Sequence, residues 1–339
     1  MKRNRILKIA WVAALLLLAV PIHAQDAKLI EAAKKEGGKV VVYGSIENET
    51  MELLAAAFRK KTGLAVDFWR SSATKVMDRA QSEFRAGKPL YDVVLTITPP
   101  MEFLMQDGIL AKYDSPANRF FPKHVMHPQL GPQYRNSVIG IVYHAGLIKP
   151  ADAPKSLEDL LKPQYRGKVV VPDASQHTTT AQWMASLHKV MGGHEKADKF
   201  IRDLAATKPL LVESLTPAGE RITTGETPIG IAFLKNVVFY VHKGVPLDYV
   251  RLGRFMGDGH AIALGAKAPH ANGGKAFMDF FLGEEGLKIM AGVGEFVTRK
   301  GIYPPIPDAD KIELVQMVEL DKKGYATKMA EYRKIFLQR

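Results

Sequence analysis

The chain of 339 residues contains no cysteine. No disulfide can therefore stabilise the fold, and no thiol can act as a nucleophile. A bacterial lipoprotein needs a cysteine directly after its signal peptide, and the residue at the expected place is Gln25. We therefore expect stability to come from packing alone, which a chain of this length can supply, and we expect no lipid anchor.

Long apolar runs and basic runs are also missing after the first 24 residues. No later segment approaches the roughly 20 consecutive apolar residues that span a bilayer. The net charge is +12, but the lysines and arginines are scattered, and no run of five or six basic residues occurs. The excess of positive charge favours an anionic partner, whereas nucleic acid is not expected.

The first 24 residues have the pattern of a secretory signal peptide. Four basic residues precede an apolar run of twelve residues, Ile9 to Val20, and Pro21 follows it. Because this run is shorter than a membrane span, an uncleaved anchor is the weaker alternative. Ala24 is the small residue that a signal peptidase requires, so cleavage should give a soluble periplasmic protein beginning at Gln25. Its net charge would be +8, because the segment carries four basic residues and no acidic one.

Alternating strands and helices predict two α/β units in series. Near-continuous apolar strands at Lys39–Tyr43 and Asp92–Leu95 indicate a parallel sheet covered on both faces. A second run starts at Lys168–Val171, and the strand Asn136–Tyr143 before it is interpreted as a crossing between the units. The last third has few strands, so we expect it to fold back onto the first unit. The predicted division is residues 25–135 for lobe 1, 136–258 for lobe 2, and 259–339 for a return segment of lobe 1 with C-terminal helices.

The stretch VVVPDASQHTTT (residues 169–180) concentrates hydroxyl and amide side chains between a strand and a helix. A single Ser or Thr would satisfy a free backbone N–H at the helix start, which makes capping the simplest interpretation. Several such residues in a row also favour an anion site, where hydroxyls and free N–H groups converge. The stretch alone leaves both interpretations open.

Four segments together resemble a known family. They are KVVVYGSIENE (39–49), KPLYDVVLT (88–96), GETPIGIAFLKN (225–236) and IALGAKAPHANGGKAFMDFFLGEEGLKIMA (262–291). The series resembles the extracellular solute-binding proteins of ABC importers, in the branch that includes ferric-ion-binding proteins and relatives that bind phosphonates and sugar phosphates.

The resemblance implies an α/β clamshell of the type II periplasmic-binding-protein class, with two lobes joined by crossing hinge strands. A ligand clamped between the lobes shifts an open–closed equilibrium, and the closed form docks on an inner-membrane permease. It also implies a monomer that performs no chemistry and carries no cofactor or metal of its own.

Candidate ligand-binding residues follow the strands, because ligands in α/β sheets bind beyond the carboxyl ends of the strands. Arg70 and Lys235 are positive candidates from opposite lobes. In ferric-binding relatives, the loop that matches Ser175–His177 holds the anion accompanying iron, which favours an anion seat with free backbone N–H groups at Ser175–Thr178. The predicted ligand-binding residues are Ser45, Arg70, Ser71, Ser72, Thr96, Thr98, Tyr134, Ser175, Gln176, His177, Thr178, Ser214, Lys235 and Asn236.

Some of the candidates have simpler interpretations. Trp69 and Tyr134 either stack on a ligand or belong to the core, which is commoner for an aromatic residue at a strand end. Glu47 and Glu49 either donate to a cation or complement a helix dipole, which we favour. The pair His124 and His127 lies in a proline-rich loop without a third ligand, so a surface loop is expected rather than a zinc site.

These patterns favour a binding protein for a small anionic solute that carries a phosphonate, phosphate or carboxylate. The alternative is ferric iron held through a bound anion. Ferric-binding relatives use two adjacent tyrosines after the strand that matches Ile229–Ala232, whereas Phe233–Tyr240 has no such pair and contains Lys235. A secreted hydrolase is a third alternative, but the chain lacks the G-x-S-x-G turn that would present a nucleophile.

Overall fold

Three parallel strands form the centre of the first lobe. The computed structural model describes residues 22–337 of the chain. In this lobe β1 (Lys39–Gly44) pairs in parallel with β2 (Ala65–Arg70) on one side and with β3 (Val93–Ile97) on the other. Its other elements are α1 (Ile22–Lys35), α2 (Asn48–Thr62), α3 (Ala73–Arg85), α4 (Thr98–Gln106) and the short strands β4 (Leu110–Ala111), β5 (Met126–His127) and β6 (Gly131–Pro132).

Most of the predicted signal peptide, residues 1–21, lies outside the described residues. The expected cleavage point between Ala24 and Gln25 falls in the first turn of α1. None of the helices within residues 22–337 combines the length and the apolarity that a membrane crossing needs.

Both faces of β1 are covered, because its side chains alternate between two cores. Val40 and Val42 are fully buried with Phe58 of α2 in one core. Tyr43 is buried with Val76 of α3 in the other. The two-sided burial explains why the strand is apolar at nearly every position.

The second lobe extends the sheet with more parallel strands. Here β8 (Val169–Pro172) lies between β9 (Leu210–Val212) and β10 (Ile229–Phe233). The helical segment from Thr178 to Met191 is divided at Leu187 into two shorter helices. The remaining elements are α5 (Thr178–Ser186), α6 (His188–Met191), α7 (His194–Ala206), α8 (Leu215–Thr223), α9 (Lys235–Val241) and β11 (Leu247–Tyr249).

Two long strands, β7 (Arg135–His144) and β12 (Arg254–Gly265), pass from one lobe to the other. β12 pairs with β3 through His260–Leu264 and with β7 through Met256–His260. β7 continues into the second lobe and pairs with β10 through Ile139–Tyr143. One sheet therefore runs through both lobes in the order β2-β1-β3-β12-β7-β10-β8-β9, with the crossing strands that the resemblance implies.

Two helices of the C-terminal part pack on the first lobe. They are α10 (Ala271–Leu282) and α11 (Glu284–Gly292), which precede the short strand β13 (Phe296–Val297). Phe277 of α10 packs edge-on against Phe58 of α2, with ring centroids 5.4 Å apart. Their apolar faces complete the core that also contains Val40 and Val42.

The last helix differs from the prediction. β14 (Glu313–Gln316) pairs with the first residues of β12, and α12 (Lys322–Phe336) then packs against α5 and α7 of the second lobe. Tyr332 and Phe336 are buried in the second-lobe core. The expectation that all of residues 259–339 fold back onto the first lobe is therefore wrong for this helix, because its apolar face completes the other core.

Candidate functional site

Charged side chains are buried where the crossing strands meet. Arg135 begins β7 and Glu295 directly precedes β13, and each side chain is only 2% exposed. Nη1 of Arg135 forms an ion pair with Oε2 of Glu295. Moving such charges out of water costs free energy, so the charges of Arg135 and Glu295 each depend on the ion pair with the other.

His260 of β12 links this ion pair to the neighbouring strand. Its Nδ1 lies 3.4 Å from Nη2 of Arg135, and its Nε2 lies 3.0 Å from the hydroxyl of Ser137. Burial, and then the charges of Arg135 and Lys235, hold the pKa of His260 well below its usual value. The ring is therefore neutral at neutral pH. Because guanidinium only donates, Nδ1 accepts and the Nε2 proton is available to Ser137.

Lys235 extends the cluster to the opposite lobe. Its Nζ binds Oε1 of Glu47 and lies 3.4 Å from Oε1 of Glu295. Lys235 begins α9 in the second lobe, whereas Glu47 directly precedes α2 in the first. This contact therefore joins the two lobes. The six residues that we call the junction cluster are Glu47, Arg135, Ser137, Lys235, His260 and Glu295.

Glu47 stays ionised in this arrangement. Burial by itself raises its pKa, but the charges of Lys235 and Arg135 outweigh burial and lower the pKa to about 2. Its other oxygen, Oε2, is buried and has no hydrogen-bond partner among the described residues. The interpretation of Glu47 as a helix-dipole charge is therefore incomplete, because the side chain also neutralises a lysine of the other lobe. With two cations and two carboxylates, the junction cluster has no net charge.

The predicted hydroxyls of the first lobe lie beside the junction cluster. Oγ of Ser45 and Oγ1 of Thr96 are 2.8 Å apart. The hydroxyl of Thr98 donates to the carbonyl of Gly259 in β12, at 3.1 Å. Thr96 and Thr98 are buried, whereas Ser45 is partly exposed. Ser45 is therefore the accessible member of this hydroxyl pair, and Thr96 is its buried partner.

Arg70 lies at the exposed end of the edge strand β2, opposite Gly44 in the ladder. It forms no ion pair with any residue that the structure describes. Ser71 is partly exposed, and Ser72 caps α3 by accepting from the backbone N–H of Lys75 at 3.4 Å. Arg70 is therefore accessible, whereas Ser72 already serves the helix.

The two aromatic candidates contact other rings of the first lobe. Trp69 is partly exposed and its ring is tilted against that of Tyr43, with ring centroids 5.0 Å apart, and the guanidinium of Arg79 lies 4.3 Å from its ring. Tyr134 is fully buried and packs edge-on against Phe281 at 4.8 Å. The inclusion of Tyr134 among the ligand contacts is therefore wrong, because its ring is part of the first-lobe core.

The loop before α5 does not offer the free backbone donors that the sequence predicts. Asp173 accepts from three successive residues: its Oδ1 binds the N–H of Ser175 at 2.8 Å, and its carbonyl binds the N–H groups of Gln176 and His177. Its Oδ2 also binds the side-chain amide of Gln176 at 2.6 Å. The expectation of free N–H groups at Ser175–His177 is wrong, because the Asp173 turn satisfies them.

His177, rather than a hydroxyl, caps α5. Its Nδ1 accepts from the backbone N–H of Thr180 and lies 2.7 Å from the Thr180 hydroxyl. Burial lowers the pKa of His177, which keeps the ring neutral and able to accept. Thr178 is exposed, while the hydroxyl of Ser175 is buried without a hydrogen-bond partner among the described residues. Ser175 and Thr178 are thus the polar groups of this loop that remain available to a ligand.

Two further candidates lie at the starts of neighbouring helices. Ser214 precedes α8 and makes no side-chain capping bond. Asn236 packs against α8, because a Cβ at Gly219 would lie only 2.0 Å from its Nδ2. That Nδ2 is buried and has no partner among the described residues. Asn236 therefore faces the helix interface rather than open solvent.

Asp258 is a buried acid that sequence reasoning missed. It lies in β12 between the two lobes and is 8% exposed. Burial raises the pKa of its carboxyl to about 7, and a hydrogen bond with Thr179 of α5 offsets only part of this rise. The sequence signal was an acid within the otherwise apolar and glycine-rich stretch RFMGDGHAIALG, residues 254–265.

Of the two histidines in the proline-rich loop, His127 has a structural role. Nδ1 of His127 accepts from the backbone N–H groups of Gln129 and Leu130, at 3.2 and 3.1 Å. His124 is exposed. Within residues 22–337, no three His, Asp or Glu side chains are arranged to hold a metal ion.

Solved structures of binding proteins share this fold. The substrate-binding protein of an ABC transporter from Agrobacterium tumefaciens is 15% identical, with a TM-score of 0.74 over 88% of this chain and 94% of that one. AfuA from Actinobacillus pleuropneumoniae, solved with fructose-6-phosphate, is 20% identical, with a TM-score of 0.66 over 88% and 96%. Iron-bound HitA from Pseudomonas aeruginosa is 20% identical, with a TM-score of 0.64 over 88% and 98%.

At these identities the likeness shows the fold, and it confirms the expected two-lobed clamshell of the type II periplasmic binding proteins. The sequence comparison goes further, because a family model matches residues 39–294, well over half of the 339 residues. The chain belongs to the family of bacterial extracellular solute-binding proteins.

Proposed function

We propose that the protein is the periplasmic binding component of an ABC importer and captures a small anionic solute between its lobes. The observation that supports the anion most is Lys235, a cation at the carboxyl end of β10 that faces the first lobe across the junction. Ser45 and the exposed Arg70 of the first lobe lie at the carboxyl ends of neighbouring strands. A phosphonate, phosphate or carboxylate would gain a charge-assisted bond, roughly 1.5–3 kcal/mol, from each cation that it reaches.

Binding of this kind shifts an equilibrium between open and closed lobes only through contacts that are better in the closed state. A solute held by Lys235 from one lobe and by Ser45 or Arg70 from the other meets that condition. The proposed lobes are residues 25–135 with the return helices α10 and α11, and residues 136–258 with α12. The proposed mature protein is a periplasmic monomer that delivers its solute to an inner-membrane permease.

The test is a thermal-shift screen followed by calorimetry on variants. Inorganic phosphate, fructose 6-phosphate, 2-aminoethylphosphonate and citrate serve as anionic probes, and glucose is the neutral control. A ligand present at about 100 times its Kd should stabilise the protein by about 2.7 kcal/mol. Arg70→Ala should then weaken binding of the best anion at least about tenfold, or roughly 1.4 kcal/mol. Ser175→Ala should weaken it less, because it removes one neutral donor.

His124→Ala provides the matched control, since its exposed side chain lies in the proline-rich loop. The proposal fails if glucose stabilises the protein and none of the four anions does. If an anion binds, but Arg70→Ala and Ser175→Ala both bind it with the affinity of the parent, the anion-binding site lies elsewhere in the protein.

Ferric iron held through an anion remains the second candidate, because the chain shares its fold with iron-bound HitA. Lys235 lies where the tyrosine pair of ferric-binding relatives is expected. Tyr240 lies on the outer part of α9, packed edge-on against Phe239 at 5.0 Å. Ferric citrate added to the purified protein should therefore produce no visible tyrosinate-to-iron charge-transfer band. A band that disappears in Tyr240→Phe would make iron the leading candidate.

A hydrolase is the alternative from another class. The family and the similar structures are binding proteins, and the only imidazole of the junction cluster is engaged with Arg135 and Ser137. We therefore assign no catalytic residue and no cofactor.

A further inference from the structure

The contact between Glu47 and Lys235 links the lobes outside the crossing strands. The two residues are 188 positions apart, at the starts of helices that belong to opposite lobes. The Glu47 side chain is 40% exposed and that of Lys235 is 19% exposed. An ion pair so placed favours conformations in which the starts of α2 and α9 lie close together.

The same ion pair engages Lys235, which is the cation that an anionic solute would bind. Lys235 is shared between Glu47 and Glu295, and Glu295 also neutralises Arg135. Both cations of the junction cluster are therefore compensated before any solute arrives. The ammonium group of Lys235 has a third N–H donor, but an anion bound there beside both carboxylates would be repelled by their charges, so displacement of one carboxylate favours binding.

The carboxylates of Glu47 and Glu295 differ in how readily they can move away from Lys235. Glu295 is 2% exposed and holds the buried guanidinium of Arg135, so moving it would leave a buried charge without compensation. Glu47 lies in the loop before α2 and can turn its carboxylate into water. Its position before a helix N-terminus would still stabilise the negative charge after it turns away.

We propose that Glu47 is a specificity-determining residue, which neutralises Lys235 and joins the lobes in the solute-free protein until an anion displaces it. This inference rests on the proposed function in one respect, that the displacing solute is an anion. A monoanion only substitutes its own negative charge for that of Glu47, so it gains little binding free energy. An anion with two charges or several acceptor oxygens also reaches Ser45 or Arg70, so the exchange selects phosphate- or phosphonate-like dianions over monocarboxylates.

The ligand-free part of the proposal can be measured without knowing the solute. Because the chain has no cysteine, cysteines introduced as Glu52→Cys in α2 and Glu220→Cys in α8 can carry two spin labels, one on each lobe. Both positions are exposed. Adding Glu47→Gln should shift the distance distribution between the labels to longer values. Glu49→Gln is the matched control, because it removes an exposed carboxylate from the first turn of the same helix.

The proposal is overturned if Glu47→Gln and the parent give the same distance distribution. Circular dichroism checks that the variant is folded, as expected for a partly exposed loop side chain. The measurement uses no ligand, so it decides whether the lobes are held by this pair even if every anion fails to bind and the proposed function is wrong.

A titration with inorganic phosphate tests the competition. Removing the competing carboxylate should tighten phosphate binding about three- to tenfold in Glu47→Gln, the size expected for a partly exposed ion pair. Acetate should gain by a larger factor than phosphate, because the second charge that favours phosphate is no longer needed to displace Glu47. Weaker phosphate binding in Glu47→Gln than in the parent would identify Glu47 as a ligand contact and overturn its role as a competitor.

Discussion

Replacing Arg135 with methionine should lower the free energy of unfolding by about 3–5 kcal/mol, the cost of breaking a buried ion pair from one side. The substitution would leave Glu295, which is 2% exposed, with Lys235 as its remaining cation at 3.4 Å. His260 would also lose the donor to its Nδ1. The loss should appear as a lower midpoint in urea denaturation of the ligand-free protein at pH 7.

Two further variants separate the charge from the packing. Arg135→Met combined with Glu295→Gln should recover part of the loss, because it removes the carboxylate that the single variant leaves poorly compensated. Arg166→Met, at an exposed position, should change the midpoint little. A loss below about 1 kcal/mol in Arg135→Met, the value typical of a surface pair, would show that water reaches Glu295.

The contribution of Asp258 to stability should fall as the pH rises from about 4 to about 7, while the lowered pKa values of His260 and His177 act in the opposite direction below about pH 6.5. Burial raises the pKa of Asp258 in the folded protein from the usual 3.8 to about 7, so the folded state holds this proton more tightly than the unfolded state does. The stabilisation is complete below pH 4 and is lost as the pH passes 7. A difference of about three pKa units corresponds to about 4 kcal/mol.

Asp258→Asn should remove this contribution, so its stability relative to the parent should increase between pH 4 and pH 8 and should exceed that of the parent at pH 8. The measurement is urea denaturation at half-unit steps between pH 4 and pH 8. Glu47 acts in the opposite direction but outside this window, because its pKa is lowered to about 2 and its stabilisation is lost only as the pH falls below about 4. Asp78→Asn, at an exposed position of α3, is the control. An unchanged slope in Asp258→Asn would mean that this carboxylate is solvated.

The sequence was most informative where structure is local. Apolar strands alternating with helices predicted the parallel arrangement of β1 and β3, because both strands are buried on two faces. The sequence also contained the signal for the Asp173 turn, because an aspartate side chain commonly accepts from the backbone N–H two residues later, here that of Ser175. Overlooking it led to the expectation of free donors in the loop before α5.

The junction cluster was much harder to predict. Arg135 and Glu295 are 160 positions apart, and they meet only because β13 pairs with the first residues of β7. The sequence pattern within either segment gives no indication that β13 pairs with β7. Lys235 was identified from its place after a strand, but its partner Glu47 belongs to the other lobe. A short sequence window shows neither contact, so the charge balance of the cluster emerges only from the tertiary fold.

The position of α12 has a consequence for how the protein is made. The first-lobe core needs α10 and α11, and the second-lobe core needs Tyr332 and Phe336 near the end of the chain. The second-lobe core therefore cannot be complete until the end of the chain has been synthesised, although domains commonly fold as they emerge from the ribosome. Among the described residues the first-lobe core contains none after Ile302, so we expect the first lobe to complete its folding before the second.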